Sequence, residues 1–215
     1  MRIILQKVLL LVLFLILPAE VFCGQPYVLL ISLDGFRYDY PERVETANLD
    51  KMVQQGVSAL SLQPVFPSLT FPNHISIATG MYPENHGIIA NSFKNPTIGD
   101  EYSLKDSKEV QNPKWYLGEF FWTTAKRNGI TTASYFWPGS EIDADYRRPD
   151  YYEKYDEDRP YMKRIEGVLD WLQKPYDKRP HFITLYFHET DARGHQYGPD
   201  SPKIDSSIAL ADSLI

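Results

Sequence analysis

Tyr27-Val-Leu-Leu-Ile-Ser-Leu-Asp34-Gly35 is an apolar run broken only by Ser32 that ends in an acid and a glycine. A strand wetted on one face alternates apolar and polar side chains. A continuous apolar run reads instead as a strand buried on both faces of a parallel sheet. Parallel strands need crossover connections, and helical patterns lie where those crossovers belong. Residues 47–55 have helical spacing and stop at Gly56. Residues 57–62 read as a second strand and 73–79 as a short helix ending at Gly80. The run 79–87 reads as a turn. Further on, 115–128 reads as a helix stopping at Gly129, 130–136 as a strand, and 161–173 as an amphipathic helix. A strand over 181–187 follows, and Ile204, Ile208, Ala211 and Ile215 recur at helical spacing. Two polar stretches, 91–113 and 138–160, read as excursions from the core. The alternation predicts an α/β fold: a doubly wound, mostly parallel sheet with helices on both faces. Ligands of such sheets gather beyond the carboxyl ends of the strands. Asp34 and Asp191 each lie just past a strand end, so the topology puts them on one edge.

Length and charge narrow the function. A chain of 215 residues holds one substantial core. Charged residues make up 23% of it and the net charge is -6. Disorder and a broad nucleic-acid surface are both disfavoured, the latter because phosphate backbones need clustered Lys and Arg. A small phosphorylated substrate held by a metal is compatible with this charge.

The first 23 residues are a different material. Arg2 and Lys7 precede an apolar core from Val8 to Leu17, the length of a signal-peptide h-region and short for a bilayer span. We expect an export signal removed before or near Gly24, with an uncleaved membrane anchor as the alternative. Cys23, the only cysteine, falls in that region, so no internal disulfide is expected.

Four side chains have metal or nucleophile chemistry. Asp34 is a ligand candidate, or else a turn cap. Thr70 lies near a helix start, where unpaired N–H groups and the helix dipole favour an anionic oxygen. A metal at Asp34 would activate its hydroxyl, whereas an isolated threonine there is commonly an N-cap. Asp191 and His195 are four apart and could aim carboxylate and imidazole at one metal, or form part of a polar turn. The side-chain amide of Asn91 could donate to a developing oxyanion, or belong to a plain loop. His74 reads better as a hydrogen-bonded structural histidine than as a ligand. Phe71, Tyr186 and Trp137 could stack on a substrate base, against core packing as the usual role of aromatics.

These segments together resemble the nucleotide pyrophosphatase/phosphodiesterase family of the alkaline phosphatase superfamily. The resemblance runs from about Tyr27 to Pro199. It rests on Leu33-Asp-Gly-Phe-Arg37, Phe66-Pro-Ser-Leu-Thr-Phe-Pro-Asn-His74, Ala78-Thr-Gly-Met-Tyr-Pro-Glu-Asn-His-Gly87, Asn91-Ser-Phe93, Phe136-Trp-Pro-Gly-Ser-Glu141 and Asp191-x-x-Gly-His195-x-x-Gly-Pro199. It implies an alkaline-phosphatase-like fold and a hydrolase acting on a small phosphodiester or nucleotide, which the N-terminal signal would place in a periplasm, outside the cell or anchored to its membrane. Asp34 would bind one zinc, with Thr70 as its ligand and as the attacking nucleophile. Asp191 and His195 would bind a second zinc about 4 Å away. Asn91 would hold a phosphate oxygen, while Phe71 and Tyr186 would flank the substrate. Two in-line displacements would pass through a phosphothreonine later released by water.

The family completes its zinc pair with a downstream Asp-His dipeptide and a further histidine. This sequence has no Asp-His and no histidine after His195. Residues 24–215 are therefore expected to be a catalytic domain truncated at its C-terminal side, weakly active or inactive alone. A non-catalytic remnant of the same fold, and a phosphatase or phosphodiesterase of non-nucleotide substrates, are the alternatives.

Overall fold

The computed structural model describes residues 24–215; the expected signal or anchor over 1–23 lies outside the described residues. Strand β1 (Val28–Leu33) opens the fold, followed by helix α1 (Ala47–Gln55) and helix α2 (Thr70–Thr79). A single turn, α3 (Pro83–His86), leads to the short strands β2 (Ser92–Lys94) and β3 (Glu101–Ser103). Helices α4 (Ser107–Gln111) and α5 (Phe121–Arg127) then precede β4 (Thr132–Tyr135) and β5 (Tyr151–Glu153). Helix α6 (Tyr161–Leu172), β6 (Phe182–Phe187), α7 (Glu189–Tyr197) and α8 (Asp205–Ser213) complete the series.

Four strands form one parallel sheet in the order β1-β6-β4-β5, while β2 and β3 make a separate antiparallel pair. Alternation along the strands divides the core. Ile183, Leu185 and Phe187 of β6 pack with Ile31 and Leu33 against Val168 and Trp171 of α6 and Leu214 beyond α8. Leu30 and Phe182 point the other way, toward Ile75 and Ala78 of α2 and Trp122 of α5. The doubly wound arrangement with helices on both faces is therefore realised, and it buries all of β4, and β6 from Ile183 onward.

Several local expectations need correction. The opening run is a strand, but β1 is an edge of the described sheet. Val28 and Leu29 are 49% and 45% exposed, because only β6 covers its backbone. Residues 57–62 form no strand: that stretch is irregular and leaves Val57 and Leu60 almost wholly exposed. The helix expected over 115–128 begins only at Phe121, since a 3-10 turn over Pro113–Trp115 and then Gly118 occupy its first half. Helix α2 starts three residues earlier than expected and makes Thr70 its first residue. The run 79–87 holds α3 rather than a plain turn. Neither polar stretch is an excursion. Tyr102 and Val110 of the first and Ile142 of the second are core residues, and the second supplies β5.

Candidate active site

The β1–β6 register is Ser32 with Tyr186 and Leu33 with Phe187. The two strands thus finish level, and the Asp34 N–H extends the ladder to the Phe187 carbonyl at 2.8 Å. Two residues later the chain enters α7, whose first turn carries Thr190 and Asp191. The Thr190 hydroxyl donates to the Asp34 carbonyl at 2.5 Å. Gly35 has φ +66, and a Cβ there would lie 2.6 Å from the Asp191 Cα. Only glycine permits this approach, which clamps the Asp34 loop directly onto the start of α7.

Asp34, Thr70, Asn91, Asp191 and His195 all line a single cleft of about 890 Å³, within the range of small-molecule sites. The three sequence segments, far apart in the chain, therefore meet. Asp191 and His195 project from one face of α7, with His195 Nε2 3.5 Å from Asp191 Oδ1. Burial, and then the neighbouring Asp34 charge, raise the Asp191 carboxyl above the usual carboxylate range. Arg37 also reaches the cleft, but its guanidinium is engaged by Asp39 and Asp200 at 2.6 and 2.7 Å. Among the described residues, no three His, Cys, Asp or Glu side chains converge as a metal-binding group.

Thr70 begins α2 after Leu69, an extended residue whose side chain caps nothing. Asn91 sits just before β2, and its Oδ1 accepts the Phe71 N–H at 3.0 Å. That bond fixes the orientation of the amide, since an N–H donor selects the oxygen. The Asn91 NH₂ group is thereby turned away from Phe71. His74, one turn into α2, bonds the Thr70 carbonyl at 2.7 Å and the Ser32 hydroxyl at 2.8 Å.

The aromatic candidates lie beneath the cleft. Tyr186 is 5% exposed and does not border the cleft; its hydroxyl donates to Asp34 Oδ2 at 2.8 Å. Burial, with Asp34 beside it, pushes its phenol far upward, so it remains a donor. Trp137 is buried and donates to the His74 carbonyl. Phe71 packs edge-on against Tyr102 and against the core around it. A stacking wall made by Tyr186 and Trp137 is thus replaced by packing, because both rings are consumed by the core.

Arg164 escaped the sequence reading. It is fully buried on α6, donates to the Tyr186 carbonyl at 3.0 Å, and lies 4.7 and 4.8 Å from the Tyr161 and Phe136 rings. Its signal was available: it occupies the apolar stripe that Tyr161, Ile165, Val168 and Trp171 define. Burial and the Arg164 charge in turn lower the His188 imidazole below its usual range.

Known proteins share this fold and much of this sequence. Residues 28–215 match the family model of type I phosphodiesterase / nucleotide pyrophosphatase. Human ectonucleotide pyrophosphatase/phosphodiesterase family member 1 is 44% identical over 195 residues, 88% of this chain and 21% of the human protein. The venom phosphodiesterase CdcPDE of Crotalus durissus collilineatus is 41% identical over 193 residues, 89% of this chain and 23% of its own length. Murine ectonucleotide pyrophosphatase/phosphodiesterase 5 superposes with a TM-score of 0.82 at 32% identity, covering 87% of this chain and 50% of the murine one. An inactive threonine-to-alanine variant of that murine protein, in complex with AMP, gives 0.83 at 31% identity over 88% and 50%. The chain thus spans about a fifth of the length of the curated relatives and half of the solved one. With the family model, the curated relatives and the superposed fold in agreement, the chain belongs to the type I phosphodiesterase / nucleotide pyrophosphatase family.

Proposed function

We propose that the cleft performs zinc-dependent hydrolysis of phosphodiester or pyrophosphate bonds, with Thr70 as the nucleophile. The observation that carries this is the meeting of Asp34, Thr70, Asn91, Asp191 and His195 in one cleft of a chain from this family. The inactive threonine-to-alanine murine variant bound to AMP supports both the nucleophile and the substrate class. The extracellular setting in the names of the ecto-enzyme and venom relatives supports export.

The donor chemistry fits zinc in part. Carboxylate, hydroxyl and imidazole are all suitable ligands, and two neighbouring acids with one pushed upward form a repulsion that a cation relieves. Asp34 with Thr70 would hold one ion, and Asp191 with His195 the other. When bound, the metal would supply acidification of the hydroxyl and polarisation of the phosphoryl oxygens. The chain's own residues do the rest. Tyr186 occupies Oδ2 of Asp34 and holds the carboxylate in one orientation. The Asn91 NH₂ donates to a phosphoryl oxygen, since its Oδ1 is already committed to Phe71. Thr70 releases its hydroxyl proton to solvent as Oγ1 bonds to phosphorus, the ester P–O bond opposite it breaks, and the leaving oxygen takes up a proton from solvent. Water then displaces Thr70 by a second in-line attack.

Two donors per ion fall short of the usual four. Weak or no turnover by the 215-residue chain alone, or a non-catalytic binding role, is favoured by the lack of a converging trio among the described residues. With zinc and bis(p-nitrophenyl) phosphate, the chain is expected to turn over slowly and Thr70→Ala to abolish turnover with an unchanged circular dichroism spectrum. Equal turnover by Thr70→Ala overturns the nucleophile. Fast turnover with two tightly held zinc ions overturns the under-coordinated reading. Comparing p-nitrophenyl esters of a nucleotide and of phosphocholine separates the substrate classes.

A further inference from the structure

Thr70 and Asp34 belong to different layers of the fold, and a nucleophile a single ångström out of place costs on the order of 100-fold in rate. Helix α2 is held at its first turn by an unusual arrangement. His74 Nδ1 lies 2.7 Å from the Thr70 carbonyl oxygen and Nε2 lies 2.8 Å from Ser32 Oγ. A carbonyl only accepts, so the ring proton is on Nδ1. The neutral ring then has its lone pair on Nε2, to which the Ser32 hydroxyl donates. One tautomer and one hydroxyl orientation satisfy every group. The ring cannot tilt away: it is 4% exposed, with Trp137 and Tyr186 edge-on at 5.2 and 5.1 Å, and Trp137 also bonds the His74 carbonyl.

The endpoints of this chain are the telling part. Ser32 is two residues before Asp34 on β1, and Thr70 itself supplies the carbonyl. We propose that Ser32 and His74 are positioning residues that set the distance between Thr70 and Asp34. They form a rigid strut from the strand that carries the acid to the residue that carries the hydroxyl. This rests on Thr70 being the nucleophile, although the strut itself does not.

An asparagine amide nitrogen takes the place of Nδ1, and a glutamine amide nitrogen the place of Nε2. His74→Asn therefore keeps the bond to Thr70 and His74→Gln abandons it. The whole chain is assayed with zinc and bis(p-nitrophenyl) phosphate, alongside backbone hydrogen exchange over residues 66–76 without substrate. For His74→Gln, kcat is expected to fall roughly 10- to 100-fold with KM within about two-fold, and exchange of the segment to quicken. His74→Asn is expected to stay within about three-fold of the parent on both readouts, and Ser32→Ala to lie between them. Equal behaviour of the Asn and Gln variants overturns the strut. So does a parent-like His74→Gln in a protein whose Thr70→Ala variant is inactive. If Thr70→Ala retains turnover, the nucleophile assignment fails instead. The Asn–Gln contrast in exchange then decides the strut alone, as it does where turnover is too slow to split.

Discussion

Gly35 is the residue whose replacement discriminates most sharply between packing and chemistry. Any side chain there meets the Asp191 backbone at 2.6 Å and must adopt φ +66. Gly35→Ala is expected to cost about 1–3 kcal/mol of stability in urea unfolding, from backbone strain together with displacement of α7. Tyr186→Phe should behave differently. It removes one hydroxyl from Asp34 and little volume, so thermal stability should hold while zinc affinity by calorimetry weakens about ten-fold or more. At this scale the sequence was only half legible. Asp34 and Asp191 stood out because each lies just past a strand end, while Thr70 and His195 gained weight only from the motifs around them. The aromatic roles were not legible, since a sequence does not say whether a ring faces the cleft or the core. Tyr186 faces the core, and only its oxygen reaches the site.

Helix α1 illustrates how an element can hold its place with no buried side chain. Its anchorage comes from α8: the Asp212 carboxylate accepts the N–H groups of Asn48 and Leu49, at 3.1 and 2.8 Å. An acid at a helix N-terminus satisfies orphan donors and the dipole together. Asp212→Ala should cost about 1–2 kcal/mol and quicken hydrogen exchange over residues 47–55 while leaving the sheet protected. The existence of α1, α6, β4 and β6 was readable from period and glycine stops. Their neighbours were harder where the local signal was weak. Residues 57–62 have the composition of a strand, but no described strand pairs with them, and a strand without a partner gains no ladder. The start of α2 was misplaced because Leu69 gives no capping signature; its first turn is held instead by Asn91 and His74, from outside the local sequence and from within the helix.

Across the whole molecule, two properties are distributed rather than local. His74, His86 and His188 are all held below the usual imidazole range, chiefly by burial. For His86 the cause can be seen atom by atom. It is fully buried, Nδ1 accepts the Ile88 N–H, and Nε2 bonds Ser76, leaving no place for a second proton. The unfolded chain takes up protons near pH 6.5 while the folded one does not. Stability should therefore be complete above about pH 6.5 and fall below it, by about 1.4 kcal/mol per pH unit for each such histidine. Urea unfolding between pH 7.5 and 5 measures that slope. The second property is apolar exposure. Val57, Leu60, Leu62 and Phe66 are each more than 80% exposed. Leu60→Lys with Leu62→Lys should reduce dye binding and self-association on light scattering, with stability changed by less than about 0.5 kcal/mol.

The level finish of β1 and β6 has a further consequence in time. Asp34 and Tyr186 are 152 residues apart in the chain, and the Thr190 hydroxyl reaches the Asp34 carbonyl across 156. Closing so large a loop is entropically costly and is rewarded only when the parallel ladder forms, so topology of this kind folds slowly. The acids of the cleft are therefore brought together late, by the same event that completes the sheet. During refolding, zinc-binding competence should rise with the slowest phase of tryptophan fluorescence, and no earlier.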